Sequence, residues 1–274
     1  MKTPIDNKVL LPFLKWPGGK RWFVASHSQL LPSKFNRYIE PFLGGGSVFF
    51  HLKPKKAILS DLNCDLIATY KAIRDGWGEL NEHLASHQAK HDDNYYYSVR
   101  QSCPRRPLNK AARLIYLNRT CFNGIYRVNL NGKFNVPKGT KDAVVLETDD
   151  FESLAALLEN ADIRVSDFES VIGEAVGGDL VFVDPPYTVR HNINGFVKYN
   201  EQLFSWEDQL RLADALAHAR ERGVKIVSTN ANHQSVRKLY STRGFSLMTV
   251  SRYSSISANP KSRKQFEELV IRAV

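Results

Sequence analysis

The sequence predicts an α/β protein built on a doubly wound, largely parallel sheet. Three observations predict it. Short β-branched and aromatic runs, such as Leu180-Val181-Phe182-Val183, alternate with amphipathic helical stretches. Two of these runs stop at an acid, Asp61 and Asp184, at the strand ends where open α/β sheets bind ligands. The length, 274 residues with 43% hydrophobic and 24% charged, suits one large domain or one domain with a substantial insert.

In chain order, Trp16-Pro17-Gly18-Gly19-Lys20 marks a turn, and 21–31 reads as a helix that stops before Pro32. The turn either holds an anionic group on its backbone N–H groups or is purely structural. It is not a Walker loop, because the glycine spacing and a Ser or Thr after Lys20 are absent. A short strand near 37–39 then runs into Glu40-Pro41-Phe42-Leu43-Gly44-Gly45-Gly46-Ser47, where an apolar helix begins. The glycines leave room for a ligand to approach the backbone. The next strand, 57–60, ends at Asp61. An acid a little under ~20 residues past the glycines can bind both ribose hydroxyls of a nucleoside cofactor. It can also cap the following helix, and the two roles are compatible.

The patterns over 66–90 and 109–118 are helical. His83, His87 and His91 recur every four residues and share a face, read as a solvated polar face. Metal ligation is the other reading, with no acid or cysteine partner evident. Asn131-Gly132 between short β-prone runs signals a hairpin. The surrounding stretch, 117–139, mixes Arg, Asn and Lys with Phe and Tyr. Nucleic-acid interfaces use such residues: cations for phosphate, Asn and Arg for base edges, apolar wedges for unstacking. Residues 66–145 therefore read as an inserted recognition region, and 1–65 with 146–274 as the catalytic domain. An ordinary polar surface hairpin is the other reading of 117–139.

Strand–helix alternation then resumes. A helix over 151–160 leads to a strand over 162–166, ending at Asp167-Phe168. The 179–183 strand follows, then a helix over 201–222 with a capping pattern at Ser205-Trp206-Glu207-Asp208. Gly223 ends that helix, and a strand over 224–230 and a helix over 234–240 come next. The runs 245–256 and 266–271 form a terminal antiparallel hairpin with a basic connection at 257–264.

Charge bounds the partner. Lys and Arg number 38 against 28 Asp and Glu, a net +10 that favours polyanions, nucleic acid first. No apolar run approaches the ~18 residues of a membrane span, and the N-terminus lacks the pattern of a signal peptide. The three cysteines are far apart with no CxxC spacing, which fits a reducing cytoplasm.

The prolines of Asp184-Pro185-Pro186-Tyr187 lack ladder N–H groups, so the strand must stop there. This motif suits an exocyclic amine on a base, whose lone pair is delocalised into the ring. The Asp184 carboxylate and Pro185 carbonyl, each accepting one N–H, favour a more tetrahedral nitrogen. Two prolines hold that carbonyl still, and Tyr187 offers a ring for stacking. A second ligand near the glycines and Asp61 would supply a methyl group in line for displacement. No metal or covalent enzyme intermediate is needed. A base inside a duplex must be flipped out to reach such a pocket.

The chain resembles the Dam-like family of DNA adenine-N6 methyltransferases of the D12 class. The matching pieces run nearly end to end: Phe13-Leu14-Lys15-Trp16-Pro17-Gly18-Gly19-Lys20, Glu40-Pro41-Phe42-Leu43-Gly44-Gly45-Gly46-Ser47, Leu59-Ser60-Asp61-Leu62-Asn63, Leu117-Asn118-Arg119, Phe122-Asn123-Gly124, Gly132-Lys133-Phe134-Asn135-Val136-Pro137 and Asp184-Pro185-Pro186-Tyr187. Each is modest alone; in this order and spacing they are specific. The resemblance implies a seven-stranded Rossmann-like fold with an inserted, mainly helical recognition region carrying a hairpin. It implies S-adenosylmethionine as methyl donor and double-stranded DNA as substrate. Trp16, Lys20, Phe42, Gly44, Asp61, Asp167, Phe168 and Asp184 would then form the cofactor site. Lys15, Arg119, Phe122, Asn123, Ile125, Arg127, Asn135 and Pro137 would contact DNA, with Phe122 as a wedge. The match implies a GATC-like target, although Thr120-Cys121 and Tyr126 depart from the pattern expected of GATC methylases. A monomer is expected, and the sequence leaves any restriction-enzyme partner unknown. Methylation of cytosine N4 or an RNA base is the alternative of the same chemistry. A catalytically silent DNA-binding regulator is the alternative of another class.

Overall fold

A computed structural model describes residues 9–129, 132–188, 204–253 and 265–274. The chain gathers into two compact units. One is Met1–Val24, Gly44–Lys55 and Asp61–Val165; the other is Ala25–Leu43, Lys56–Ser60 and Ser166–Val274.

The strands are β1 (Tyr38–Glu40), β2 (Ala57–Asp61), β3 (Ala161–Val165), β4 (Leu180–Val183), β5 (Lys225–Ala231), β6 (Ser246–Tyr253) and β7 (Gln265–Ala273). They form one mixed seven-stranded sheet in the order β3-β2-β1-β4-β5-β7-β6. Strand β1 runs parallel to β2 and β4, and β4 parallel to β5, whereas β7 is antiparallel to both β5 and β6. This is the α/β architecture expected, with the terminal hairpin inserted so that β7 lies against β5. All four residues of β4 are buried, as an uncharged run between two parallel neighbours should be.

In the second unit, α7 (Phe168–Gly173), α8 (Trp206–Glu221) and α9 (Gln234–Ser241) accompany the sheet. Helix α8 starts where the sequence signalled: Ser205 and Asp208 form a complete capping box. Its buried Leu212, Ala213, Leu216 and Ala219 recur at helical spacing and join Val181, Val183 and Ile226 in the core. Burying each of the two leucines stabilises the fold by roughly 1.5–3 kcal/mol. Residues 201–203, expected to open this helix, and the 257–264 connection lie outside the described residues.

The first unit carries α2 (Ser47–Leu52), α3 (Cys64–Lys90), α4 (Asp93–Gln101), α5 (Pro107–Thr120) and α6 (Phe151–Leu158). Between the glycine turns, α1 (Arg21–His27) continues as a 3-10 turn, Ser28–Leu30. Asn63 caps α3 by accepting from Leu66 N at 3.0 Å, and Gly76 kinks it at φ −161°, ψ 42°. A Cβ on Gly76 would lie 3.1 Å from Leu108, so α5 packs closely at the kink. Helix α4 was not foreseen: its three consecutive tyrosines look like a strand, but Asp92 caps it through Tyr95 N at 2.7 Å. The hairpin signal yields two isolated bridges, Cys121–Lys138 and Val128–Phe134, rather than regular strands. Residues 130–131 lie outside the described residues.

The reading of the three histidines as a solvated face is corrected. His87 stacks on Tyr116 at 4.8 Å and hydrogen-bonds the Tyr95 hydroxyl at 2.9 Å. The His91 side chain is only 4% exposed, between the Tyr116 hydroxyl at 2.8 Å and Asp142 at 3.1 Å. Aromatic partners from α4 and α5 cover this face. No helix among the described residues is long and apolar enough to cross a membrane.

Candidate active site and nucleic-acid interface

The prolines end β4 at Val183, and Asp184 follows at the carboxyl end of the strand. Its carboxylate is held from the side by β5: the Thr229 hydroxyl donates to Asp184 Oδ1 at 2.8 Å. Pro185 is buried and Pro186 half-buried. The Tyr187 hydroxyl donates to Glu268 Oε2 at 2.5 Å, across to β7. Glu268 is only 6% exposed. Burial first, and then the Asp184 and Glu268 charges, push the Tyr187 phenol well above its ordinary pKa, so it stays protonated. Sequence reasoning missed Thr229 and Glu268. Neither lies in a motif, and each is joined to Asp184-Pro185-Pro186-Tyr187 only by the pairing of distant strands.

The same unit holds three residues expected at the cofactor. Phe42, after β1, stacks on Phe168 with centroids 5.5 Å apart and planes 22° apart. Phe204 meets both rings. Asp167 caps α7 through Glu169 N at 3.0 Å and pairs with Arg211 at 3.1 Å. The Arg211 guanidinium also lies over the Phe168 ring at 4.9 Å.

In the first unit, Asp61 accepts from Gly44 N at 3.1 Å and from Asn63 N at 2.9 Å. Desolvation raises its pKa, and these backbone donors oppose that shift. Gly44 has φ +47°, and a Cβ there would lie 2.8 Å from Trp16 Cδ1. Only glycine takes this position without strain. Trp16 stacks on Tyr126 at 5.5 Å and 23°. The Lys20 ammonium is buried and donates to Gly18 O at 2.9 Å.

Lys15 is exposed, but its backbone is fixed on both sides by the buried Asn118 side chain, at 2.9 and 2.8 Å. The same Asn118 amide donates to Gly124 O at 3.1 Å, tying Lys15 to the Phe122–Gly124 turn. Partial burial, and next the Lys141 ammonium, lower the Lys15 pKa. Two such cations side by side favour a polyanion. Phe122 and Ile125 are 53% and 40% exposed, large apolar side chains turned to solvent. Asn123, at φ +57°, lies exposed between them. Arg127 is exposed, its Nε donating to Asn135 Oδ1 at 3.0 Å. Pro137 is exposed, and its carbonyl accepts from Phe122 N at 2.9 Å.

Arg119 is placed differently from the DNA contact expected of it. It is 7% exposed and gives both terminal nitrogens to Asp149 at 2.7 Å. It also donates to Val144 O at 2.6 Å and Phe13 O at 3.1 Å. The guanidinium is spent inside the unit, joining the segments before and after the exposed turn.

This fold is that of a Rossmann-like α/β methyltransferase. The model of the D12 class N6 adenine-specific DNA methyltransferase family matches residues 16–256, and the chain belongs to that family. It is 36% identical to the Type II methyltransferase M1.LlaDCHI of Lactococcus lactis subsp. cremoris, over 97% of this chain and 96% of that one. It is 30% identical to the DNA adenine methylase of Escherichia coli K12, over 94% and 93%. It is also 33% identical to the DNA N-6-adenine-methyltransferase of Escherichia phage P1, over 91% of this chain and 33% of that one. The protein is an adenine-specific DNA methyltransferase, acting at N6.

Proposed function

We propose that this enzyme takes its methyl group from S-adenosylmethionine and delivers it to an adenine flipped out of duplex DNA, in a GATC-like site. The observation that carries this reading is the Asp184 carboxylate, fixed by Thr229 at the end of β4 and followed by two prolines. The residues fit a nucleoside methyl donor. Gly44, at φ +47°, lets the Trp16 indole lie directly against its backbone, where a Cβ would collide with it. Asp61 gives two lone pairs to backbone donors and keeps others for ribose hydroxyls. The Phe42–Phe168 stack, with Asp167 beside it, suits a purine. By the family resemblance, Trp16 and Lys20, in the same unit as Gly44 and Asp61, are also read as donor contacts. S-adenosylmethionine, when bound, supplies a methyl group on a positively charged sulfur.

The chain's own residues do the rest. Asp184 and the Pro185 carbonyl accept the two amine hydrogens, drawing the nitrogen toward tetrahedral geometry, and the Tyr187 ring stacks on the base. Because these groups are held before the base arrives, little reorganisation is needed in the transition state. Unstacking the adenine costs a few kcal/mol, and Phe122 offsets part of that by entering the stack. Lys15, Asn123, Ile125, Arg127, Asn135 and Pro137 face the DNA, with 66–145 as the recognition region. Arg119 supports that surface from beneath. We read the protein as a monomeric cytoplasmic enzyme. Its likeness to a Type II methyltransferase favours a restriction enzyme of the same target as its counterpart.

Asp184→Ala tests the reading. Methyl transfer to adenine is expected to fall by roughly 10²-fold or more, while DNA affinity stays within about twofold. Normal turnover in that variant would sink the mechanism.

A further inference from the structure

Donor and target must both be in place before a methyl group moves. We infer that Tyr126 couples the two: it is a positioning residue through which donor binding sets the target-reading segment and tightens DNA binding. The inference rests on the reading of Trp16, Gly44 and Asp61 as donor contacts, given above. In the sequence, Tyr126 stands out only as a departure from the pattern expected of GATC methylases.

The segment alternates. Ile125, Arg127 and Asn129 are exposed, whereas Tyr126 and Val128 are half-buried, the two-residue period of an extended chain. One side therefore meets solvent and, in the reading above, DNA; the other side packs inward. Val128 bridges to Phe134, and Arg127 donates to Asn135 at 3.0 Å. The Tyr126 ring lies 5.9 Å from that of the buried Phe134. A shift of Tyr126 is thus a shift of its neighbours Ile125 and Arg127.

Tyr126 is held at both ends by parts of the donor site. Its ring stacks on Trp16, with centroids 5.5 Å apart and planes 23° apart. The same indole lies against Gly44, where a Cβ would come within 2.8 Å of Trp16 Cδ1. The Tyr126 hydroxyl donates to Asp65 Oδ2 at 2.9 Å. Asp65 stands in the first turn of α3, whose cap, Asn63, donates its own N–H to Asp61 Oδ1 at 2.9 Å. Asp61 Oδ2 in turn accepts from Gly44 N at 3.1 Å. The contacts close a circuit: Asp61, Gly44, Trp16, Tyr126, Asp65 and back through Asn63 to Asp61. Every member lies in the first unit.

Coupling follows from that closure. A donor resting on Trp16 and Asp61 fixes two members of the circuit, and ordering them is then no longer a cost of DNA binding. Linkage is reciprocal, so a duplex bound at Arg127 must tighten donor binding by the same factor. An aromatic pair contributes roughly two- to tenfold to an equilibrium, which sets the scale. Burial first, and then Asp65, hold the Tyr126 phenol well above its ordinary pKa, so the hydroxyl remains a donor at neutral pH. A leucine in its place would fill space but neither stack nor donate.

The test uses the full chain, a duplex containing the target, and S-adenosylhomocysteine, which is the donor less its methyl group. Fluorescence anisotropy gives duplex affinity with and without S-adenosylhomocysteine, and the ratio is the coupling factor. In the wild type the factor should be about tenfold. Tyr126→Leu should bring it below about twofold, and Tyr126→Phe, which keeps the stack but not the bond to Asp65, to about three- to fivefold. Calorimetry should return the same factors as tightening of S-adenosylhomocysteine by duplex. A merely structural tyrosine would instead weaken duplex binding equally with and without S-adenosylhomocysteine. A wild-type factor in Tyr126→Leu, or no coupling in the wild type, would overturn the inference. Should Tyr126→Leu fail to fold, an unchanged factor in Tyr126→Phe overturns it instead. Trp16→Leu separates the two readings. S-adenosylhomocysteine bound by Trp16→Leu as tightly as by the wild type would overturn the donor reading of Trp16, and the coupling with it. Weaker binding there, with Tyr126→Leu still fully coupled, would overturn the coupling alone.

Discussion

Arg119→Met separates support from contact at the DNA-facing surface. The Arg119 and Asp149 side chains are 5% and 10% exposed, joined by two bonds of 2.7 Å. Methionine keeps much of the stem volume but takes the guanidinium from the Asp149 carboxylate, which keeps the Leu146 N–H at 2.9 Å, and from the carbonyls of Val144 and Phe13. Breaking a buried pair from one side costs roughly 3–5 kcal/mol. At about 2–4 °C per kcal/mol for a protein near this size, Tm should fall by roughly 6–20 °C. Arg119→Met/Asp149→Leu removes both charges and should recover part of that loss, because the two sites are coupled. Urea melts give the stabilities, and fluorescence anisotropy with a short duplex, taken well below the new Tm, gives DNA affinity. The expected result is a large loss of stability with affinity changed less than about threefold. A destabilisation under about 1 kcal/mol with tenfold weaker DNA binding would refute the reasoning and return Arg119 to the DNA contacts.

Three further outcomes are expected. Gly44→Ala forces an L-residue to φ +47° and drives its Cβ against Trp16, so S-adenosylmethionine affinity should drop with about 1–3 kcal/mol of added strain. Unchanged affinity by calorimetry would exclude Gly44 from the donor site. Arg127→Ala should relax discrimination at one base position by about 1–3 kcal/mol, read from methylation rates on singly altered duplexes; an unaltered preference removes Arg127 from the reading set. Burial lowers the His87 pKa to about 4, below the ordinary value of 6.5. Within that window the unfolded chain binds more protons, so stability rises with pH and is lost as pH falls from about 6.5 toward 4. Urea melts at pH 7.5 and 5 should show the loss in wild type and a smaller one in His87→Gln; equal losses contradict this.

Much of the fold was legible because local chemistry and global topology agree. Two prolines had to end β4, Ser205 and Asp208 had to open α8, and Gly223 had to close it. The placement of Asp61, Gly44 and Asp184 at strand ends followed from the same punctuation. What sequence could not give were pairings set by distant strands. Thr229 is 45 residues from Asp184, and Glu268 is 81 from Tyr187. Arg119 carries the same lesson. A basic residue beside exposed Phe122 reads as a DNA contact until Asp149, 30 residues on, is found against it. The histidines at four-residue spacing read as polar because their tyrosine partners lie on α4 and α5.

The most direct test is to express the enzyme in a host free of DNA methylation and map modified bases by sequencing. Base, position and target site then come from one experiment. The account predicts N6-methyladenine at one short recurring GATC-like sequence, abolished by Asp184→Ala. Methyl groups on cytosine N4, or adenine methylation undiminished in Asp184→Ala, would contradict it.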